Sequence, residues 1–293
     1  MRTLNSIAIA LLQHSVMFFS EKTYLQLLYR LKMGKKLNLN SPKTMNEKLQ
    51  WLKLYNRKPE YTTMVDKVLV KNHVANIIGD EYIIPTIGVW DHFDNIDFDK
   101  LPNQFVLKTN HSGGNTGVVI CKDKDSLLKG EARKKLEKSL KSDISKSLGE
   151  WPYRHVNRKI FAEEFLGDDP TDYKFYCFDG CADVVLVCIE RNSGHPQFYF
   201  FDREWKLCRL NKRGKEAPEG FSLPKPLGMD KMFELASQLS KGLPFARVDL
   251  YNINGKIYFG EITFFPASGF DSNRLPEADL YFGNKIKLPT TTQ

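Results

Sequence analysis

The chain has 293 residues, with 43 Lys and Arg against 35 Asp and Glu, a net charge of +8. That length allows one large or two ordinary domains with ample chain to bury a core. A hydrophobic content of 42% with 27% charged and 12% aromatic residues excludes a largely disordered, collagen-like or disulfide-scaffold chain. The basic excess suits a polyanionic ligand such as a nucleotide, an acidic sugar or an anionic membrane face, without choosing among them.

In chain order, residues 4–19 are mostly apolar but are interrupted by Gln13, His14 and Ser15. That is short of the roughly 20 apolar residues of a spanning helix. With only Arg2 basic before it, the stretch does not read as a signal peptide either. It reads as an amphipathic helix docking on the body of the protein. Peripheral membrane contact, helped by Lys22, Arg30, Lys32, Lys35 and Lys36, is the second reading. A helix through Tyr24, Leu27, Leu28 and Leu31 stops at Gly34, and a second opens at Ser41–Glu47 and runs through Leu54. A third spans Met64–Ile78 and ends at Gly79, and Tyr82-Ile83-Ile84-Pro85 reads as a short strand.

Strand patterns dominate beyond that point. Phe105–Lys108 and Gly117–Cys121 flank a glycine-rich loop, and residues 125–148 form a Lys/Glu/Leu-rich helix with a solvated face. Strands are expected at 159–165, 173–178, 182–190 and 197–202, then a long loop at 211–228 and a helix over Met229–Lys241. Phe245–Asn252 and Lys256–Thr263 make a hairpin around Asn254-Gly255. Helices and strands mix without strict βαβ alternation, so the fold class is α+β. Three divisions are expected: a helical segment at 1–60, a part with the glycine loop at 61–160, and a C-terminal part at 161–293. Five cysteines (121, 177, 181, 188 and 208) form no CxxC pair, which fits free thiols in a reducing, cytoplasmic compartment.

Three elements carry candidate chemistry. The first is Lys108–Gly117, where glycines let backbone N–H groups converge on an anion and a strand-end lysine adds a fixed charge. No GK[ST] closes it and no GxGxxG opens a helix, so it is neither a P-loop nor a dinucleotide fingerprint, and a mere hairpin is the alternative. The second is Lys159–Leu166, an apolar strand leaving through Glu163-Glu164; either carboxylate could accept an adenine amine or simply be solvated. The third pairs Arg247-Val248-Asp249 with Gly260-Glu261-Ile262-Thr263. Carboxylates on adjacent strands repel unless a cation bridges them, and Mg²⁺ takes one or two carboxylates with phosphate oxygens and water. Charged strand edges are the other reading. Strand parity makes the metal site depend on the turn. A two-residue Asn254-Gly255 turn sets Asp249 opposite Gly260 and puts the two carboxylates on opposite faces, whereas a three-residue loop 253–255 puts Asp249 and Glu261 on one face.

The order of these elements resembles the ATP-grasp superfamily, with Asp66-Lys67 ahead of Ile83-Ile84-Pro85. More narrowly, Asn46–Trp51, Leu107–His111, Asp172–Gly180 and Phe259–Phe270 resemble the TupA-like ATP-grasp family, over about residues 20–285. The resemblance implies an ATP-grasp fold behind an N-terminal helical segment, and a carboxylate–amine ligase acting through an acyl phosphate. A uronic acid or amino acid of surface-polysaccharide synthesis is the implied carboxylate. A glycosyltransferase or an ATP-dependent sugar phosphotransferase of the same pathway is the alternative, and no nucleic-acid partner is expected. Carried over by position, the implied ATP contacts are Lys67, Lys108, Gly113, Gly114, Thr116, Glu163, Glu164, Leu166 and Asp172. Lys174, Arg191 and Arg247 are the implied catalytic cations, and Asp249, Glu261 and Thr263 the Mg²⁺ ligands. Thr263 departs from the family's frequent Asn and is a weaker ligand, which leaves Asn273 or water to complete the metal. His111 reads as structural, with contact to phosphate or substrate as the alternative.

Overall fold

The computed structural model describes residues 2–114, 116–168, 170–190 and 195–290, with side chains from residue 5 onward. Helices are α1 (Arg2–His14), α2 (Glu21–Met33), α3 (Met45–Tyr55), α4 (Glu60–Val65), α5 (Val70–Ile78), α6 (Lys129–Leu140), α7 (Ile144–Leu148), α8 (Lys212–Glu216), α9 (Met229–Leu239) and α10 (Pro276–Lys285). Strands are β1 (Thr86–Trp90), β2 (Phe105–Thr109), β3 (Val118–Cys121), β4 (Ile160–Glu164), β5 (Asp172–Phe178), β6 (Cys181–Ile189), β7 (Gln197–Phe201), β8 (Leu207–Cys208), β9 (Phe245–Ile253) and β10 (Lys256–Thr263). Among the described residues no helix is long and apolar enough to cross a membrane. The chain forms two compact units, one of Met1–Lys58, Ser145–Trp151 and Thr171–Gln293, the other of Pro59–Ile144 and Pro152–Pro170.

The smaller unit is built on an antiparallel sheet in the order β1-β4-β2-β3. Side chains alternate across it. Phe105, Leu107, Ile160 and Ala162 pack with Ala132 and Leu136 of α6 and with Phe93, Ile96 and Leu101. Parity sends Lys108, Phe161 and Glu163 to the opposite face, since Lys108 pairs with Phe161 and Val106 with Glu163. The single helix expected over Met64–Ile78 is two, α4 and α5, because the Asp66 carboxylate turns the chain by accepting the N–H groups of Val68 and Leu69 at 2.9 and 3.2 Å. The strand expected at Tyr82–Pro85 does not form: a 3-10 turn covers Asp80–Tyr82, and β1 begins only at Thr86, four residues past the expected start. The helix expected over 125–148 is α6 and α7, and the loop at 211–228 contains α8.

The larger unit carries a six-stranded antiparallel sheet in the order β10-β9-β5-β6-β7-β8. Helix α9 covers one face, its Phe233 ring edge-on to Phe175 at 4.9 Å. Burying such a side chain is worth about 1.5–3 kcal/mol. On the other face Phe282 of α10 stacks on Tyr176 and Phe178 at 5.4 and 5.6 Å. Helix α3 opens with a capping box between Thr44 and Glu47. It buries a polar stripe of Asn46, Gln50 and Lys53. Gln50 and Lys53 donate to the carbonyls of Ser268 and Gly269. These bonds hold a tight turn, Pro266–Gly269, in which Ala267 and Ser268 have φ of +49° and +53°.

Candidate active site

In the smaller unit Glu163 lies between two ammonium groups. Its Oε2 accepts from Lys108 at 2.5 Å and its Oε1 pairs with Lys71 at 2.7 Å. Lys71, on α5, also donates to the Ile84 carbonyl at 2.7 Å and to the Thr86 hydroxyl at 2.6 Å. Burial alone would raise the Glu163 pKa, but Lys108 and then Lys71 outweigh it and hold the carboxyl below its ordinary value. Two cations on one carboxylate leave a surplus positive charge beside the glycine loop, which an anion can use. Glu164 is exposed and Leu166 half-buried just beyond the end of β4.

The loop itself is anchored at its base. A Cβ on Gly117 would fall 2.2–2.5 Å from the hydroxyls of Thr109, Ser139 and Ser112, so only glycine admits that approach. Thr109 Oγ1 lies 2.7 Å from each of the other two hydroxyls. At the tip Gly113, Gly114 and Thr116 are exposed, with Gly114 at φ +60°. Asp66 and Lys67 clamp the strand end: Asn110 donates to Asp66 Oδ2 at 2.9 Å, and the Lys67 N–H donates to the Asn110 carbonyl at 2.9 Å. His111 is buried, its Nε2 set 3.2 Å from the Ser139 carbonyl. Burial, then the charge of Arg158, pushes its pKa down to about 4, so it is neutral at pH 7.

In the larger unit one face of β5, β9 and β10 is charged. Asp249 stands directly opposite both Lys174 and Glu261, and Arg247 opposite Thr263. Lys174 bridges Asp172 at 2.5 Å and Asp249 at 2.6 Å. Arg247 grips Asp249 through two bonds of 2.7 Å and reaches Glu261 Oε1 at 2.9 Å and Thr263 Oγ1 at 3.0 Å. Burial opposes the charges of Lys174 and Arg247. Asp172 and Asp249 outweigh it at Lys174, Asp249 and Glu261 at Arg247, and both cations titrate above their ordinary values. Three carboxylates against two cations leave one net negative charge.

The hairpin reaches this arrangement by a route the sequence reading did not anticipate. Asn254 and Gly255, at φ +52° and +88°, form a two-residue turn rather than a three-residue loop. From Lys256↔Ile253 to Phe259↔Leu250 the register is that of the plain turn. A bulge between Phe259 and Glu261 then shifts it by one, so that Asp249 faces Glu261. The extra residue is Gly260, whose Cβ would stand 3.0 Å from the Asp249 carbonyl oxygen. The two carboxylates share a face because of the bulge.

These residues fit a magnesium ion carried on phosphate. Asp249 and Glu261 supply hard oxygens from adjoining strands, with the Thr263 hydroxyl on the same face, and Mg²⁺ needs only one or two protein carboxylates beside phosphate and water. Among the described residues no cluster of three or more His, Cys, Asp or Glu is disposed to hold a metal, so a closed protein cage is absent from them. Asn273, the alternative ligand, lies exposed in the Asp271–Arg274 turn, its N–H donating to Asp271. Arg191 lies outside the described residues.

Of the residues named from the sequence, the structure brings Lys108 and Glu163 together, and separately Asp172, Lys174, Arg247, Asp249, Glu261 and Thr263. The sequence reading did not single out Lys71, in the first turn of α5, which no local pattern in the sequence marks. Nor did it find Lys53 or Glu150. Lys53 is fully buried, donates to Leu148 and Ser268 carbonyls at 2.7 and 2.8 Å, and is pushed by burial down to about 7 against the pull of Glu150.

A sheet bearing a glycine loop, a lysine-paired strand-end glutamate, and a second antiparallel sheet with opposed carboxylates define an ATP-grasp protein. The sequence model of the TupA-like ATPgrasp family matches residues 47–287, and the chain belongs to that family. No curated protein is significantly similar in sequence. Among solved structures, D-alanine-D-alanine ligase from Helicobacter pylori is 13% identical, with 85% of this chain and 70% of that one covered and a TM-score of 0.46. The same enzyme from Bacillus anthracis, complexed with ATP, is 18% identical, covering 76% and 63%, with a TM-score of 0.43. An L-amino acid ligase from Bacillus licheniformis is 16% identical, covering 86% and 57%, with a TM-score of 0.46. The chain spans less than two thirds of the last two structures.

Proposed function

We propose that the protein is an ATP- and Mg²⁺-dependent carboxylate–amine ligase that makes an amide through an acyl phosphate. The observation that carries this reading is the opposed pair Asp249 and Glu261, set on one sheet face with Lys174 and Arg247, in a chain of the TupA-like ATPgrasp family. Asp249, Glu261 and Thr263 would hold Mg²⁺, which neutralises phosphate charge when bound. Lys174 and Arg247, held in place by the carboxylates they bridge, stabilise the transferring phosphoryl group, and Arg191 is assigned the same role from its place in the sequence. Lys108 and Lys71, with Lys67 nearby in sequence, hold phosphate oxygens, and Gly113, Gly114 and Thr116 close over them. Glu163, Glu164 and Leu166 serve the adenine end and Asp172 the ribose. In the structure both Glu163 oxygens accept lysines, so its first task is to orient those lysines.

The carboxylate and the amine are sugar-linked or small, and a uronic acid or amino acid of a cytoplasmic step in surface-polysaccharide synthesis fits the family resemblance. Five free thiols agree with a reducing compartment. The test is ADP release with ATP and Mg²⁺, screened over uronic-acid derivatives crossed with amino acids and amino alcohols. ADP and phosphate formed only when both partners are present, with an amide product, supports the reading. A stable phosphoester makes the enzyme a sugar phosphotransferase instead.

A further inference from the structure

The first 46 residues hold seven lysines and arginines against one acid, Glu21, so six of the eight net positive charges fall there. Within that stretch α1 is apolar on both sides. Ile9, Leu12 and Val16 turn inward and pack with Tyr24, Leu25 and Leu28 of α2. On the other side Ile7 and Leu11, one turn apart, are 58% and 67% exposed, and in the 3-10 turn Val16–Phe18 that follows, Met17 and Phe18 are 81% and 79% exposed. No Asp, Glu, Lys or Arg occurs between Arg2 and Glu21. Large apolar side chains gathered on a surface without charge mark a contact face.

We propose that α1 and the Val16–Phe18 turn form a docking surface for an anionic lipid bilayer. Ile7, Leu11, Met17 and Phe18 enter the interfacial layer, and the exposed Lys22, Arg30, Lys35 and Lys36 meet the headgroups. At 13 residues α1 is too short to span, so it lies in the plane of the surface. A second copy of the chain is a poorer occupant, because it would bring two strongly basic segments together, whereas an anionic surface attracts them. The proposal does not depend on the ligase reading, and its test measures binding alone.

The full chain is sedimented with vesicles of phosphatidylcholine, and with vesicles in which a third of the lipid is phosphatidylglycerol. Binding at least about tenfold tighter to the anionic vesicles, weakening as salt rises, is expected. The double variants Met17→Ser/Phe18→Ser and Lys35→Glu/Lys36→Glu should each lose most of it while keeping the wild-type circular dichroism spectrum. Equal partitioning onto both vesicle types, or full binding by Met17→Ser/Phe18→Ser, overturns the proposal. So does a dimer of the free protein that Met17→Ser/Phe18→Ser dissolves, since the face would then belong to a second copy.

Discussion

Replacing Glu163 with glutamine keeps the side chain's shape and removes the charge that separates Lys71 from Lys108. In the native arrangement the carboxylate is 5% exposed, and the lysines at 2.7 and 2.5 Å are 12% and 20% exposed. Removing one partner of a buried ion pair costs about 3–5 kcal/mol. Here the amide oxygen still accepts one ammonium group and both lysines reach some water, so roughly 2–4 kcal/mol is expected at pH 7. The pH dependence has a definite sign. The native carboxyl titrates below its ordinary value. Its stabilisation is therefore complete above the unfolded value of about 4.3 and is lost as pH falls through the lower native one. Urea unfolding of wild type and Glu163→Gln at pH 7 and near pH 3 reads both effects, with the gap closing in acid. Adding Lys71→Met to Glu163→Gln removes the surplus charge and should restore part of the loss. A Glu163→Gln variant within about 0.5 kcal/mol of wild type at pH 7, or a gap that widens in acid, refutes the reasoning.

Other outcomes follow from the same geometry. Lys108→Ala should lower ATP turnover by at least about 100-fold while leaving the circular dichroism unchanged, because the proposed role of its ammonium group is on phosphate and its loss leaves Lys71 on Glu163. Glu261→Gln should raise the Mg²⁺ concentration needed for half-maximal turnover about tenfold or more, with little change in thermal unfolding, since its side chain is partly exposed. His111 titrates near 4 in the folded chain and near 6.5 when unfolded, so native stability should fall as pH drops from 6.5 towards 4, by at most about 1.4 kcal/mol per pH unit; unfolding of His111→Gln across that range should show a flatter profile. Gly117→Ala forces a methyl group against three hydroxyls and should cost about 1–3 kcal/mol, read by thermal unfolding.

Much of this was legible in the sequence because it depends on local chemistry. Thr44 and Glu47 announce the start of α3, Gly34 at φ +70° ends α2, and Asn254-Gly255 marks the hairpin turn. What escaped depends on long-range fit. The bulge at Gly260 is set by how β10 lies on β9; a glycine within the strand is its one local signal, and that signal does not by itself fix the register. The break between α4 and α5 comes from the Asp66 side chain, which also answers Asn110 forty-four residues away. Lys71 joins Glu163 only because α5 packs where β4 ends, and the amphipathic pattern of α5 gives that lysine no distinction from its solvated neighbours. Lys53 sits in a helix stripe that would ordinarily be apolar. Its burial is explained by the Leu148 and Ser268 carbonyls it satisfies, both distant in sequence.

The ligase reading rests on phosphoryl transfer to a carboxylate oxygen, and one measurement addresses that step directly. The carboxylate that supports the fastest ADP release with an amine is labelled with ¹⁸O in its carboxyl group, and the inorganic phosphate formed with ATP and Mg²⁺ is analysed by mass spectrometry. An acyl phosphate intermediate predicts one ¹⁸O in each phosphate, because the amine displaces phosphate together with the carboxylate oxygen that attacked ATP, and the amide keeps the other. Phosphate without label, or phosphate retained on the acceptor as an ester, would contradict the assignment of a carboxylate–amine ligase.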